Sequence, residues 1–190
     1  MDEPKITHEQ LEEFKIEYEN RQARNIELSE LEKKYRKWTV NNELSLELDW
    51  QDEISKIDKE FLFKTVTLEG FDKLEQNFTV EYLDLDKVLN FHCKGEDEAL
   101  KLYPKNKLWT TAHRTDSKIT RLIEYILDGK TLCPIVIGCQ PNEYSNGEHV
   151  FSLHDGNHRA ALCRYLKIKE IPFLIRREQV DKIQNAINSC

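Results

Sequence analysis

The stretch HDGNHRAALCRYL, His154 to Leu166, decides how the second half of this chain is read. It is a short turn running into an amphipathic helix, between HVFSL and IPFLI, two segments of strand character. Strand, glycine-containing turn, helix and strand in that order describe an α/β unit. Gly156 permits a positive φ at the turn, and Asp155 or Asn157 caps the helix. His158 and Arg159 then fall in the first helical turn, where unpaired N–H groups and the positive end of the macrodipole oppose cations by about 0.3 to 1 kcal/mol per charge. A bound phosphate reverses that sign, because the N–H groups, the dipole and the donors of Arg159 then all address one anion.

Upstream, Ile119, Leu122, Ile123 and Ile126 share one face of a helix expected to begin near Asp116 or Ser117 and to stop at Gly129. Lys118 falls in its first turn, Arg121 lies one turn on, and His113 and Arg114 just precede it. If the two helix starts converge at one sheet edge, these cations surround one anion. LCPIVIG, 132–138, reads as a buried strand, QPNEYSNGE, 140–148, as turn chemistry, and 171–175 as a further strand.

The first half has a different texture. Thr7 with Gln10 and Ser29 with Glu32 have capping-box spacing, which predicts helices over 8–24 and 30–38, separate or continuous. Leu11, Phe14 and Tyr18, then Leu28, Leu31, Tyr35 and Trp38, form apolar stripes on them. A helical arm packed on the domain is the favoured reading, and a partner-binding or dimerising arm the alternative. Leu44, Leu46, Leu48 and Trp50 alternate with polar residues, the pattern of a half-buried strand, and strand character recurs at 61–68 and 78–85. The segment 91–112 is polar and irregular and reads as a long loop. The expected fold is α+β, a small mixed sheet with helices, organised as a helical arm (1–40), a strand-containing extension (41–77) and a domain (78–190).

Net charge is −7 over 190 residues, but residues 1–100 carry 14 Lys/Arg against 26 Asp/Glu and residues 101–190 carry 14 against 9. The basic half suits an anionic ligand. The five cysteines form no CxxC pair and are odd in number, which argues against a disulfide framework or a zinc ribbon. No apolar run approaches the ~18 to 20 residues that span a bilayer, and the N-terminus lacks the apolar core of a secretory signal, so no membrane association and a cytoplasmic location are expected.

Several short motifs occur in an order that resembles the ParB/sulfiredoxin superfamily over Val80 to Ile175: VEYLDLDKV, then HRTDSKITRLIEYILDGKTLCPIVIG, then DGNHRAALCRYLKIKEIPFLI. Sulfiredoxins bind phosphate with a Gly-Gly-Cys-His-Arg loop, and DGNHR matches it through His158 and Arg159. A second phosphate-binding lysine of that family sits in an Ala-Lys-Val-x-x-Leu-Val helix, which SKITRLI matches through Lys118. Asn157 stands where the redox cysteine would be, and an amide cannot supply a thiolate. The resemblance therefore implies nucleotide binding without sulfinic-acid reduction. ParB proteins carry Glu-Arg-Arg at 157–159 and continue into a helix-turn-helix domain, so this chain is similar to short, single-domain members, some with ATPase and DNase activity.

The leading expectation is a nucleoside triphosphate site, ATP first, with Mg²⁺. Lys118 and the loop Gly156, Asn157, His158 and Arg159 hold the phosphates, and Arg114 and His113 approach from upstream. Asp155, then Asp116 and His154, are the candidates to activate a nucleophile in hydrolysis or phosphoryl transfer. One alternative is a nuclease acting on DNA, with His113 or His158 and a carboxylate-bound metal; the acidic first half weighs against it. Another is a non-catalytic nucleotide-sensing module whose helical arm binds a protein partner.

Overall fold

A run of five buried residues, Ile171 to Ile175, marks the strand around which the second half of the chain is built. The computed structural model describes residues 7–60, 71–93, 108–109, 113–141 and 149–188. In chain order its main elements are α1 (His8–Val40), α2 (Leu74–Asn77), β1 (Phe78–Asp84), α3 (Leu85–Cys93), α4 (His113–Leu127), β2 (Ile135–Pro141), β3 (His149–Asp155), α5 (Asn157–Tyr165), β4 (Glu170–Arg176) and α6 (Val180–Asn188). The chain divides into two compact units, Met1–Leu44 and Ser45–Cys190. It is an α+β protein with a long N-terminal helix and a small mixed sheet.

The first unit is α1, one uninterrupted helix across both predicted ones. Thr7 caps it with the expected box: its hydroxyl accepts from the Gln10 N–H at 3.2 Å, and its own N–H donates to Gln10 Oε1 at 2.9 Å. Ser29 and Glu32 have the same spacing but sit mid-helix, so no second start forms there. Leu11, Phe14 and Tyr18 are more than half exposed, while Tyr35 of the second stripe is buried.

In the second unit the strand order is β1-β4-β2-β3. β1 runs antiparallel to β4, β2 parallel to β4, and β3 antiparallel to β2. β4 is apolar at every interior position because it has a strand on each side and a packed layer on each face. Ile171, Phe173 and Ile175 join Ile135 and Ile137 in a core completed by α3, α5 and α6. Leu174 and Val136 face the other way, onto Phe78, Leu74 and Ile57. That second layer is supplied by residues 54–57 and 74–78, so the extension is an integral wall of this unit.

Several boundaries differ from the sequence reading. The 44–50 segment keeps its alternation of burial and packs Leu48 and Trp50 against the core, but among the described residues its strand pairing is one isolated parallel bridge, Trp50 to Leu132. Backbone bonds Leu132 N–H to Asp49 O (2.7 Å) and Gln51 N–H to Leu132 O (2.8 Å) fix it. The strand expected at 61–68 lies outside the described residues, as do 94–107 and 142–148. α3 extends to Cys93, into the stretch read as loop. α4 begins at His113, about one turn earlier than expected, and ends as expected before Gly129, whose φ is +71°. β3 is longer than HVFSL and includes His154 and Asp155. Among the described residues no helix is long and apolar enough to cross a membrane.

Candidate functional site

The C-terminal end of β3 and the N-terminal end of β2 lie side by side in the antiparallel pair, and α5 starts immediately after β3. α4 packs beside α5. A cavity of about 370 Å³ opens at this corner. α4 lines it with Lys118, Arg121, Leu122 and Tyr125, residues at i, i+3, i+4 and i+7, hence on one helical face. Opposite stand Asp155, Gly156, His158 and Arg159, with Leu132 and Cys133 forming an apolar floor. The remaining lining residue, Asp58, comes from the extension.

The turn that shapes the cavity depends on Gly156. It is the N-cap of α5 at φ 100° and ψ 13°, a conformation that side chains rarely tolerate. A Cβ there would also sit 2.9 Å from Ile135 Cγ1. No side chain caps α5, which corrects the expectation that Asp155 or Asn157 does so. Asp155 ends β3 instead, and Asn157 is the exposed first residue of the helix.

Arg159 is the best-held cation of the cavity. It is 7% exposed, its Nη1 donates to the Cys133 carbonyl at 2.6 Å, and its Nη2 donates to Asp155 Oδ2 at 2.5 Å. The charge that appeared to oppose the helix dipole is thus paired four residues back, with a carboxylate, and locks the start of β2 to the end of β3. His158 is kept below the ordinary imidazole pKa by burial first and by Lys118 next, with Asp155 pulling the other way. A neutral imidazole meets little opposition at a helix start.

Gln51 ties the extension to this corner. Its Oε1 accepts from the Asp58 N–H at 2.9 Å and from Cys133 Sγ at 3.1 Å, and its Nε2 donates to Thr131 Oγ1 at 3.2 Å. Burial pushes the Cys133 thiol up, opposed by Arg159, and pushes Cys163 up to about 12. Neither behaves as a thiolate nucleophile at neutral pH.

The predicted residues therefore separate. Lys118, Asp155, Gly156, His158 and Arg159 meet in one cavity. Lys118 reaches it from the second turn of α4, not the first, because α4 starts at His113. Asp116 is 1% exposed on the buried side of α4 and is not a lining residue. His154 is skipped by a shift in the β2–β3 register. Its ring covers Gly138, with Nε2 3.4 Å from Ser152 Oγ, and burial and Arg176 lower its pKa. The side chains of His113 and Arg114 lie outside the described residues.

Asp58, Tyr125 and Cys133 were not singled out from sequence. Tyr125 was open to detection through its i+7 spacing from Lys118. Asp58 was not, since its place depends on hydrogen bonds spanning some 80 residues. Among the described residues no group of three His, Cys, Asp or Glu side chains is placed to hold a metal ion. Set against family models, curated proteins and solved structures, the chain matches none of them.

Proposed function

We propose that this chain binds a nucleotide through its phosphate in the manner of the ParB/sulfiredoxin superfamily, at the cavity between α4 and α5. The observation that carries the reading is the convergence of Lys118, Arg121 and His158 on the uncapped start of α5. Lys118 and Arg121 make no ion pair among the described residues, and the first N–H groups of a helix are donors without intrahelical partners. Leu122, Tyr125 and Leu132 give the same cavity an apolar wall, the usual composition of a small-ligand site. Magnesium, where required, arrives with the phosphates, and Asp155 and Asp58 are the cavity carboxylates that could approach it.

The test is calorimetric titration of the full chain with adenine nucleotides, with and without Mg²⁺, repeated for Lys118→Ala. Loss of about tenfold or more in affinity, with an unchanged circular dichroism spectrum, is expected for removing one direct phosphate cation. Equal affinity of the variant and the parent would remove the site.

A second reading, a nucleotide-sensing module without turnover, is favoured by the placement of the candidate catalysts. Asp155 is engaged by Arg159, and Asp116 and His154 do not line the cavity. The exposed Leu11, Phe14 and Tyr18 of α1 suit a protein partner for such a module. Nucleotide turnover at stoichiometric metal, followed by release of phosphate, decides between hydrolysis and sensing.

A further inference from the structure

The cavity between α4 and α5 has a charged end and an aromatic end. Lys118 and Tyr125 both line it from α4, seven residues and therefore about 10 Å apart along the helix axis. Lys118 stands near His158 in the first turn of α5. Tyr125 lies two turns on, and the turn that follows α4 folds back to hold its ring. The hydroxyl donates to the Thr131 carbonyl at 3.2 Å, and the Lys130 N–H donates to the Tyr125 carbonyl at 3.2 Å. Gly129, at φ +71°, makes that reversal possible. Lys130 Nζ then sits 5.2 Å from the ring centroid, a cation–π contact.

We infer that Tyr125 is the platform on which the ring of a nucleobase stacks, and that the cavity takes purine nucleotides in preference to pyrimidine ones. The inference rests on the phosphate-site reading and supplies the other end of the ligand. Lys130 does not line the cavity, so it meets the ring from outside and leaves the cavity side to a ligand. The residue is 40% exposed, which is surface that a stacked ring would cover. With its hydroxyl and its outer face both engaged, the ring is oriented before a ligand arrives, and little side-chain freedom is lost on binding. Leu122, one turn back on α4, and Leu132, next to Thr131, continue the wall with apolar surface. Flat rings stack on aromatic side chains whatever base they belong to, and the larger purine ring system covers more of the platform.

The experiment is calorimetric titration of the full chain with ATP, CTP and base-free tripolyphosphate, for the parent, Tyr125→Phe and Tyr125→Leu. The parent is expected to bind ATP more tightly than CTP, and CTP more tightly than tripolyphosphate. Tyr125→Phe keeps the ring and is expected to keep that order. Tyr125→Leu keeps an apolar wall without a flat face, and is expected to lose about tenfold in ATP affinity, the scale of one base–aromatic stack, with tripolyphosphate affinity unchanged. The ratio of the two affinities within one variant is independent of any loss of folded protein. An unchanged ratio of ATP to tripolyphosphate affinity in Tyr125→Leu would overturn the stacking role, and tighter binding of CTP than ATP by the parent would overturn the purine preference; both leave the phosphate site standing. No binding of tripolyphosphate by the parent would overturn the phosphate reading, and the inference with it.

Discussion

Arg159 is the residue at which the sequence and the structure make opposite predictions, and Arg159→Met separates them. Methionine keeps much of the apolar stem and removes the guanidinium, so the change deletes the bonds to the Cys133 carbonyl and to Asp155 without opening a large void. Removing one partner of a buried ion pair costs about 3 to 5 kcal/mol, chiefly through the charge left behind. The Asp155 side chain keeps 23% of its exposure, and water reaching it offsets part of that loss, so the lower end, about 3 kcal/mol, is expected. With a urea slope near 2 kcal/mol/M, the unfolding midpoint falls by about 1.5 M. The assay is urea unfolding followed by tryptophan fluorescence in a Trp38→Phe background, so that Trp50 and Trp109 report on the second unit.

Asp155→Asn retains an acceptor and removes the charge, and is expected to cost less, about 1 kcal/mol. The double variant should be more stable than the sum of the single losses implies, because the second change removes the charge that the first one stranded. If Arg159 were instead a ligand-facing donor, Arg159→Met would keep the parent's midpoint and lose only nucleotide affinity. That result would refute the structural assignment of Arg159.

Two further outcomes follow from the same corner of the fold. Gly156→Ala forces a side chain into φ 100° and against Ile135; a loss of about 1 to 3 kcal/mol in the same urea assay is expected, and an unchanged midpoint would show that the turn relaxes freely. His158 and His154 both have imidazole pKa values lowered in the folded state, so the unfolded chain takes up protons first as pH falls below about 6.5 and stability falls with it. The slope of stability against pH between 7 and 5 should shrink in His158→Gln. A bound phosphate should raise the His158 pKa in an NMR titration, and no rise on saturation with ligand would place the phosphate elsewhere.

The fold was legible where burial is periodic and local. Ile119, Ile123 and Ile126 gave α4 its face, the run from Ile171 to Ile175 gave the central strand, and Thr7 with Gln10 gave the start of α1. Elements whose form depends on distant partners were misread. Leu44 to Trp50 has the alternation of a strand, yet among the described residues it pairs in a single bridge, Trp50 to Leu132, closed by the backbone of Asp49 and Gln51. Asp155 reads as turn or cap chemistry, but the register of β2 and β3 draws it into the strand and hands it to Arg159. The site divided in the same way. Gly156, Lys118 and His158 were named from local motifs, whereas Asp58 enters the cavity through the side chain of Gln51, and no spacing rule reports a bond across that separation.

The uneven charge of the chain acquires a physical meaning from this arrangement. Residues 1–100 are strongly acidic and residues 101–190 basic, and from sequence alone the basic half suits an anionic ligand. In the second unit the two signs meet at one cavity, with Lys118 and Arg121 from the basic half and Asp58 from the acidic half. Lys118 and Arg121 are both exposed, so any pull they exert on a phosphate is screened by salt. Under the proposed phosphate site, raising ionic strength is therefore expected to weaken nucleotide binding, and an affinity in calorimetric titration that does not change with salt would count against those two cations as its ligands.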